Sequence, residues 1–349
     1  MIKYVKKTLG GGLFIALWIC LALVGCSFKG EQPTKEAEPL STVKTKVALL
    51  LPGPISDKGW NASAYEGLMM AKEKFGFETA YRENLGLSDI EEAFRVYAQE
   101  GYDIIIGHGF QFGDPAKKVA KEFPKIKFLI TSSNIFQEPN VASLDILNKQ
   151  VGFLGGVAAA LITKSNKIGF VGGMAIPSII IAQEGFAAGA KYAKPDVQVL
   201  STLIGSFDDV AKAKETALAY IGQGADIIMH DADQGGLGVI HACKEKNVLA
   251  IGYGKDQSDL APENLIVSSI QSVPAGLTYV LQEIVEGRFA AKAYEAGIKQ
   301  GATGLVWNEH LAAKHVSPEV RKKIDDIIRE VADGKINIDE LIRAVKEKK

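Results

Sequence analysis

The sequence predicts an α/β protein made of two doubly wound lobes, each built on its own parallel sheet. Strand and helix patterns alternate after residue 44, and several strand segments are apolar without interruption. Continuous apolar runs are expected where helices cover both faces of a parallel sheet. The order of the segments in the first half also recurs in the second half, which indicates two similar lobes.

The strand candidates are short apolar runs that end in glycine, proline or polar residues. They cover residues 47–51, 79–83, 103–106, 128–132, 168–171, 197–203, 226–229, 249–252 and 266–270. Helical segments lie between most of them, and the clearest, 61–75, places Ala64, Leu68 and Ala71 on one face.

Two pairs of matched segments show the repeat. Residues 64–67 open a helix as residues 182–185 do, and residues 101–105 are answered by residues 224–228. The ordered matches indicate one α/β plan used twice rather than a short-period solenoid. Loops at the carboxyl ends of the strands are therefore expected to line a cleft between the lobes.

The amino terminus has the pattern of a secretory signal. Lysines at positions 3, 6 and 7 precede an apolar run that ends Leu-Val-Gly before Cys26. The pattern resembles the bacterial lipobox, which implies cleavage before Cys26 and a lipid on its thiol. A transmembrane anchor is the alternative, but the run of about 15 residues is shorter than the roughly 20 needed to span. We expect residues 1–25 to be a lipoprotein signal peptide and the protein to sit on the extracytoplasmic face of the cell membrane, held by lipid alone.

Composition narrows the functional classes. Apolar residues make up 47% and charged residues 23% of the chain, which is typical of a globular protein. Loss of the three signal lysines takes the formal net charge from −1 to −4, so nothing favours a nucleic-acid partner or an anionic lipid surface. Cys243 is the one cysteine beyond residue 26, so no internal disulfide is expected and a packed role is favoured over a nucleophilic one.

The loop after the first strand carries the most informative site candidates. Trp60 follows Gly59 where the strand leads into a helix, and it offers either a stacking surface or a plug over the core. Asp57 and Asn61 flank it as helix caps or ligand contacts.

Further candidates follow later strands. Gly109 would let the backbone approach a ligand, Phe110 would add an aromatic wall, and Ser133 and Asp256 would supply polar contacts. A phosphate or carboxylate would call for Arg or Lys forks, and Lys255 is the sole candidate. These residues predict a pocket for a planar, roughly neutral, hydrogen-bonding molecule.

Catalytic and metal sites are not expected. The sequence lacks a Walker phosphate loop and a Gly-x-Ser-x-Gly elbow. His230, Asp231 and Asp233 could ligate a metal, but three ligands within four residues is not a usual zinc spacing. We therefore expect no cofactor, no metal and no catalytic residue.

Residues 53–67 resemble the first signature of the basic membrane protein (BMP) family, the substrate-binding lipoproteins of ABC importers typified by purine nucleoside receptors. Residues 107–110, 170–173, 234–238 and 256–257 resemble its later blocks in order. The resemblance implies a type I periplasmic-binding-protein fold whose chain crosses between the lobes three times. It also implies closure on a ligand, delivery to ABC permease subunits and no enzymatic activity.

The resemblance also implies a base held between two aromatic side chains. Trp60 matches the first, whereas the second falls near Met229, so that wall would be a thioether. Asp57 and Asn61 match residues that contact the base or its neighbours. A sugar-binding carboxylate is replaced by Gly254 and an ammonium by a serine, and a pocket without those partners disfavours ribose. A purine nucleobase or another small planar ligand is then favoured over a nucleoside.

The predicted organisation follows from these features. Residues 26–44 form a flexible linker, rich in Ser, Lys, Glu, Pro and Thr. The first lobe takes 45–150 and about 272–300, the second takes 151–271 and about 301–320, and 321–349 forms surface helices. We expect a monomer with hinges near residues 148 and 269. The alternatives are a sensor lipoprotein of the same fold without a transport role and a nucleoside-cleaving enzyme.

Overall fold

The structure, a computed structural model, describes residues 44–57 and 59–347. The predicted signal peptide, the predicted lipid site Cys26 and the predicted linker up to residue 43 lie outside the described residues. The described chain forms two six-stranded sheets with helices on both faces, which confirms the predicted fold class.

The elements are numbered in chain order. The strands are β1 (Lys46–Leu50), β2 (Glu78–Arg82), β3 (Ile104–His108), β4 (Lys127–Thr131), β5 (Val141–Ile146), β6 (Lys167–Gly172), β7 (Gln198–Leu203), β8 (Ile227–Asp231), β9 (Leu249–Gly254), β10 (Leu265–Gln271), β11 (Ala293–Ala296) and β12 (Thr303–Trp307). The helices are α1 (Trp60–Phe75), α2 (Ile90–Gln99), α3 (Gly113–Ala120), α4 (Asn148–Ile162), α5 (Pro177–Ala193), α6 (Val210–Gly222), α7 (Gly236–Lys246), α8 (Val273–Val285), α9 (Glu309–His315), α10 (Pro318–Ala332) and α11 (Ile338–Lys346).

The two sheets share one strand order. The first runs β2-β1-β3-β4-β5-β11 with every pair parallel, and the second runs β7-β6-β8-β9-β10-β12 with only β12 antiparallel to its neighbour. This order places a topological switch point between β1 and β3 in the first lobe and between β6 and β8 in the second. Ligands of doubly wound proteins bind outside the carboxyl ends of the strands at such points.

Each sheet is buried between two helical layers. In the first lobe α1 and α8 cover one face, and α2 and α3 cover the other. In the second lobe α4 and α5 pack with their backbones in contact: a Cβ added at Gly156 would lie 2.0 Å from the carbonyl oxygen of Phe186. Only glycine permits this approach, so the close α4–α5 pair depends on that residue.

The described chain passes between the lobes three times, at 146–148, 271–273 and 296–303. Hydrogen bonds join these crossings at the first turn of α4. The Oδ1 atom of Asn148 accepts a hydrogen bond from Gln271, and the Oε1 atom of Gln150 accepts from Ile298 N at 3.1 Å and Thr303 Oγ1 at 2.9 Å. The first turn of α4 therefore links all three connections.

The carboxyl-terminal segment completes the core of the second lobe. Helices α10 and α11 bury Ile324, Ile327 and Ile342 against it while their charged faces stay in solvent. The predicted surface helices are thus amphipathic, and they pack on the second lobe.

Candidate ligand-binding cleft

The loop between β1 and α1 is held by one carboxylate. Asp57 accepts hydrogen bonds from the backbone amides of Gly59, Asn61 and Ala62 at 2.8–2.9 Å and from the side-chain amide of Asn61 at 2.8 Å. A carboxylate offers about four lone-pair sites, so all of them are engaged. Burial raises the pKa of Asp57, but these hydrogen bonds outweigh it and hold the pKa below its usual value. Asp57 therefore caps α1 and fixes the backbone on either side of Trp60.

Trp60 stacks on a buried histidine at the switch point of the first lobe. Its ring lies 4.1 Å from that of His108, with 25° between the planes. Trp60 itself is half-buried at the start of α1. His108 covers one face of the Trp60 indole. The exposed surface of Trp60 therefore belongs to the other face and the edges of the ring.

His108 is a neutral support for this stack. Burial lowers its pKa to about 3, against the opposing effects of the Trp60 carbonyl and Asp57. A neutral imidazole carries one N–H, which the Nε2 atom donates to the Trp60 carbonyl at 3.1 Å. The Nδ1 atom then accepts from the Thr131 hydroxyl at 2.8 Å, and that hydroxyl accepts from Gly109 N at 3.1 Å. No charge is introduced beneath the indole.

The lobes touch directly beside Trp60. The Nε2 atom of Gln234 in the second lobe donates to the Asp57 carbonyl at 2.9 Å. A Cβ at Gly59 would lie 2.6 Å from the Oδ1 atom of Asp233. The segment after β8 therefore meets the loop after β1, and the two switch points face each other across one cleft.

The second lobe presents carboxylates at this contact. Asp233 follows β8 and is exposed at its surface, but desolvation of the carboxyl at the lobe contact together with nearby Asp57 and Asp208 raises its pKa to about 6, whereas Lys255 lowers it. Asp231 ends β8 and is 3% exposed, and burial raises its pKa well above the usual value. The first lobe thus offers a neutral aromatic stack, and the second offers acidic groups.

The other predicted site residues lie at different depths. Gly109 has φ 122°, a region that favours glycine, and Phe110 beside it is 57% exposed. Ser133 is buried, with its hydroxyl accepting from Ile135 N at 3.1 Å. Asp256 is exposed and closes a turn by accepting from Ser258 N at 3.0 Å.

Met229 does not form the second wall in this structure. It is fully buried in the core of the second lobe, and its sulfur lies 2.4 Å from the place where a Cβ of Gly155 would be. Side chains alternate between the faces of a strand, and Met229 points towards α4. It presents no surface to the cleft.

Phe207 is an aromatic residue at the cleft edge that the sequence reasoning missed. It is half-buried after β7, and its ring packs on Gly173, where a Cβ would lie 2.4 Å from the ring. Its carbonyl accepts from Gly235 N at 2.7 Å, which ties it to the segment that contacts Gly59. The rule that sites follow strand ends would have found it if it had been applied to β7.

The described residues contain neither a metal-binding cluster nor a membrane-spanning helix. No group of three or more His, Cys, Asp or Glu side chains is placed to hold a metal ion there. None of the described helices combines the length and the apolar character that a bilayer span requires.

Comparison with known proteins supplies a family. The family model described as Bmp, ABC transporter substrate-binding protein PnrA-like, matches residues 44–337. Basic membrane protein A2 of Borrelia garinii subsp. bavariensis is 32% identical over 337 residues, which cover 93% of this chain and 94% of that protein. The ABC transporter nucleoside-binding protein BmpA of Lactococcus lactis subsp. cremoris is 32% identical over 349 residues, with coverage of 93% and 96%.

A solved structure supports the fold. The ABC transporter solute-binding protein from Aeropyrum pernix K1 superposes with a TM-score of 0.72 and covers 87% of this chain and 98% of its own. At 24% identity this likeness concerns the architecture alone.

Proposed function

Since the chain belongs to the Bmp family of PnrA-like ABC transporter substrate-binding proteins, we propose that it captures a purine nucleobase or nucleoside between its lobes and delivers it to a membrane permease. Membership of the family confirms the resemblance drawn from the signature segments. The purine class draws support from the relative in Lactococcus lactis, which is named a nucleoside-binding protein.

The Trp60–His108 stack is the observation that carries the purine proposal. A flat, neutral aromatic surface at a switch point favours a flat, neutral ligand, because stacking needs area and no counter-charge. In our proposal Phe207, whose ring packs on Gly173, supplies the second wall in place of Met229. A purine enclosed between Trp60 and Phe207 would lose its hydration on both faces.

Polar residues would orient the ligand around this stack. Asp57 acts indirectly in our proposal, because its oxygens are engaged in capping α1. Asn61 is a proposed contact whose amide already donates to Asp57 and accepts from Gly53 N, so it too would act mainly by holding the loop. Gly109, Ser133 and Asp256 remain proposed polar contacts, and Phe110 is a proposed rim contact that would be covered as the lobes close.

We also propose a lipid anchor on Cys26 and an extracytoplasmic, monomeric receptor. A substrate-binding protein works on the face of the membrane from which its transporter imports, and the signal pattern before Cys26 supplies both export and attachment. Several acyl chains on one cysteine hold a protein at a membrane more firmly than one chain does.

Calorimetry on the mature domain tests the ligand. We expect binding of adenine, hypoxanthine, guanine or their nucleosides, weakened at least tenfold by Trp60→Ala and largely kept by Trp60→Phe, since base stacking contributes about 1–3 kcal/mol. Trp307→Phe is the matched control, because Trp307 lies on β12, where its ring stacks with Arg321. Absence of binding to every purine and nucleoside would remove the ligand claim.

Two assays address the remaining roles. Cells that lack the gene should lose uptake of labelled purine, whereas a sensor of the same fold would leave uptake intact. Incubation with nucleosides should release no free base, and release would instead identify the nucleoside-cleaving enzyme.

A further inference from the structure

Asp231 is a buried carboxyl in an unusual position. It is the last residue of β8, in register with Gly172 of β6, so it sits at the switch point of the second lobe. It is 3% exposed, and its Oδ2 atom has no hydrogen-bond partner. Buried polar atoms nearly always have partners, so an orphan of this kind calls for an explanation.

Asp226, at the other end of β8, differs from Asp231 in its hydrogen bonding. Asp226 directly precedes the same strand at its amino end and accepts hydrogen bonds from the Thr163 hydroxyl and from the amides of Lys164 and Ser165, the latter two at 2.8 Å. The two carboxylates thus bracket β8, but only the one at the amino end is satisfied by the protein.

Asp231 lies at the interlobe contact. Asp233 and Gln234, two and three residues further on, are the residues that meet Gly59 and Asp57 of the first lobe. Movement of the lobes therefore changes the surroundings of the segment that begins with Asp231. A ligand at the carboxyl end of β8 would lie close to this carboxyl.

Tyr253 connects the carboxyl to the hinge. Its side chain lies beside Asp231, and its hydroxyl donates its one hydrogen to the Oδ1 atom of Asn148 at 3.0 Å. Asn148 begins α4 at the first crossing and is also bonded by Gln271 at the second crossing. Because the Tyr253 hydrogen goes to Asn148, it does not satisfy the Oδ2 atom of Asp231, which is left for another partner.

We propose that Asp231 is a specificity-determining residue whose Oδ2 atom accepts a hydrogen bond from an N–H group of the bound ligand. The inference rests on the proposed purine-binding function and deepens it. It assigns the ligand an orientation, with a flat face on Trp60 and an N–H edge towards β8. The proposal also predicts that the protein binds planar molecules without an N–H group, such as N-methylated purines, more weakly.

Binding and thermal unfolding of four proteins test this: wild type, Asp231→Asn, Asp231→Leu and the control Asp226→Asn. The probes are hypoxanthine, adenine, guanine and caffeine, a purine whose N–H groups are replaced by N-methyl groups. Asp231→Leu removes both oxygens, and Asp231→Asn keeps the shape if the larger leucine disturbs folding.

We expect Asp231→Leu to bind the N–H purines at least tenfold more weakly than wild type does. The affinity of Asp231→Asn should lie between those of Asp231→Leu and wild type. In both variants the affinity for N–H purines should exceed that for caffeine by a smaller factor than in wild type. Asp231→Leu should unfold at a higher temperature than wild type without ligand, because an unsatisfied buried carboxyl is removed, whereas Asp231→Asn should not, because its buried amide stays unsatisfied. Asp226→Asn should show the reverse, with a lower unfolding temperature and unchanged affinity.

Two results would overturn the inference. If wild type binds purines but Asp231→Leu binds them equally well with the same rejection of caffeine, Asp231 has no ligand role and the proposed function stands. If wild type binds none of the three N–H purines and none of their nucleosides, the proposed function falls and the inference falls with it.

Discussion

Replacement of Asp57 by asparagine should loosen the loop that presents Trp60. The carboxylate receives four hydrogen bonds, three of them from the amides of Gly59, Asn61 and Ala62 at the start of α1. Asparagine keeps one acceptor oxygen and turns an N–H₂ group towards amides that also donate. We expect Asp57→Asn to lower the free energy of unfolding by about 2 kcal/mol, the upper range for a lost helix cap.

That loss is measurable. In a chain of this size about 1 kcal/mol moves the unfolding temperature by roughly 2 °C, so the expected drop is about 4 °C. Asp89→Asn is the matched control, since Asp89 precedes α2 in the same lobe and makes no capping hydrogen bond. Purine affinity should fall as well, because the backbone around Trp60 is no longer fixed.

The pH dependence gives a second readout. The folded pKa of Asp57 lies below its unfolded value of 3.8. Its contribution to stability is therefore complete above about pH 4 and is lost as the pH falls through the folded pKa. Asp57→Asn should lack this part of the acid destabilisation. Unfolding temperatures and affinities equal to wild type across this range would refute the capping argument.

Three shorter predictions concern other parts of the chain. The folded pKa of Asp233 is raised to about 6, so wild type should gain stability as the pH falls from about 6 towards 4. Asp233→Asn should abolish this gain and should raise the unfolding temperature at pH 7. Gly156→Ala should destabilise by about 3 kcal/mol in urea unfolding, because its Cβ meets the Phe186 carbonyl, whereas Gly222→Ala, with open space around it, should not. Cys26→Ser should abolish fatty-acid labelling and release the protein from membranes.

Most of the parallel core of both sheets could be predicted because its strands are recognisable in the sequence as short apolar runs. β1, β3, β4, β6, β8 and β9 are apolar runs whose burial is set by the local sequence. β5 escaped prediction, although it lies between β4 and β11 inside the first sheet. β11 and β12 also escaped prediction because they are short edge strands, each formed against one partner, β5 or β10. Their pairing follows the second and third crossings, a tertiary fact that periodicity does not carry.

The site was predictable at its first wall and not at its second. Trp60 stands out because a large aromatic follows a glycine at a strand end. His108, its support, gave no separate signal, since a histidine between two glycines fits many roles. The resemblance placed the second wall near Met229, but Met229 lies on the same face of β8 as Ile227, which belongs to the core. We propose that the second aromatic surface comes instead from the loop after the edge strand β7, which carries Phe207.

The internal repeat leads to a last consequence for the cleft. Residue 103 corresponds to residue 226, so His108 of β3 corresponds to Asp231 of β8. Both end their strands at a switch point, yet one is a neutral ring with satisfied nitrogens and the other is a carboxyl with an open oxygen. The same backbone position therefore holds a neutral, fully hydrogen-bonded ring in one lobe and a carboxyl with a free acceptor oxygen in the other. In the proposed complex the protein therefore orients the ligand, with its flat face towards the first lobe and its hydrogen-bond donors towards the second.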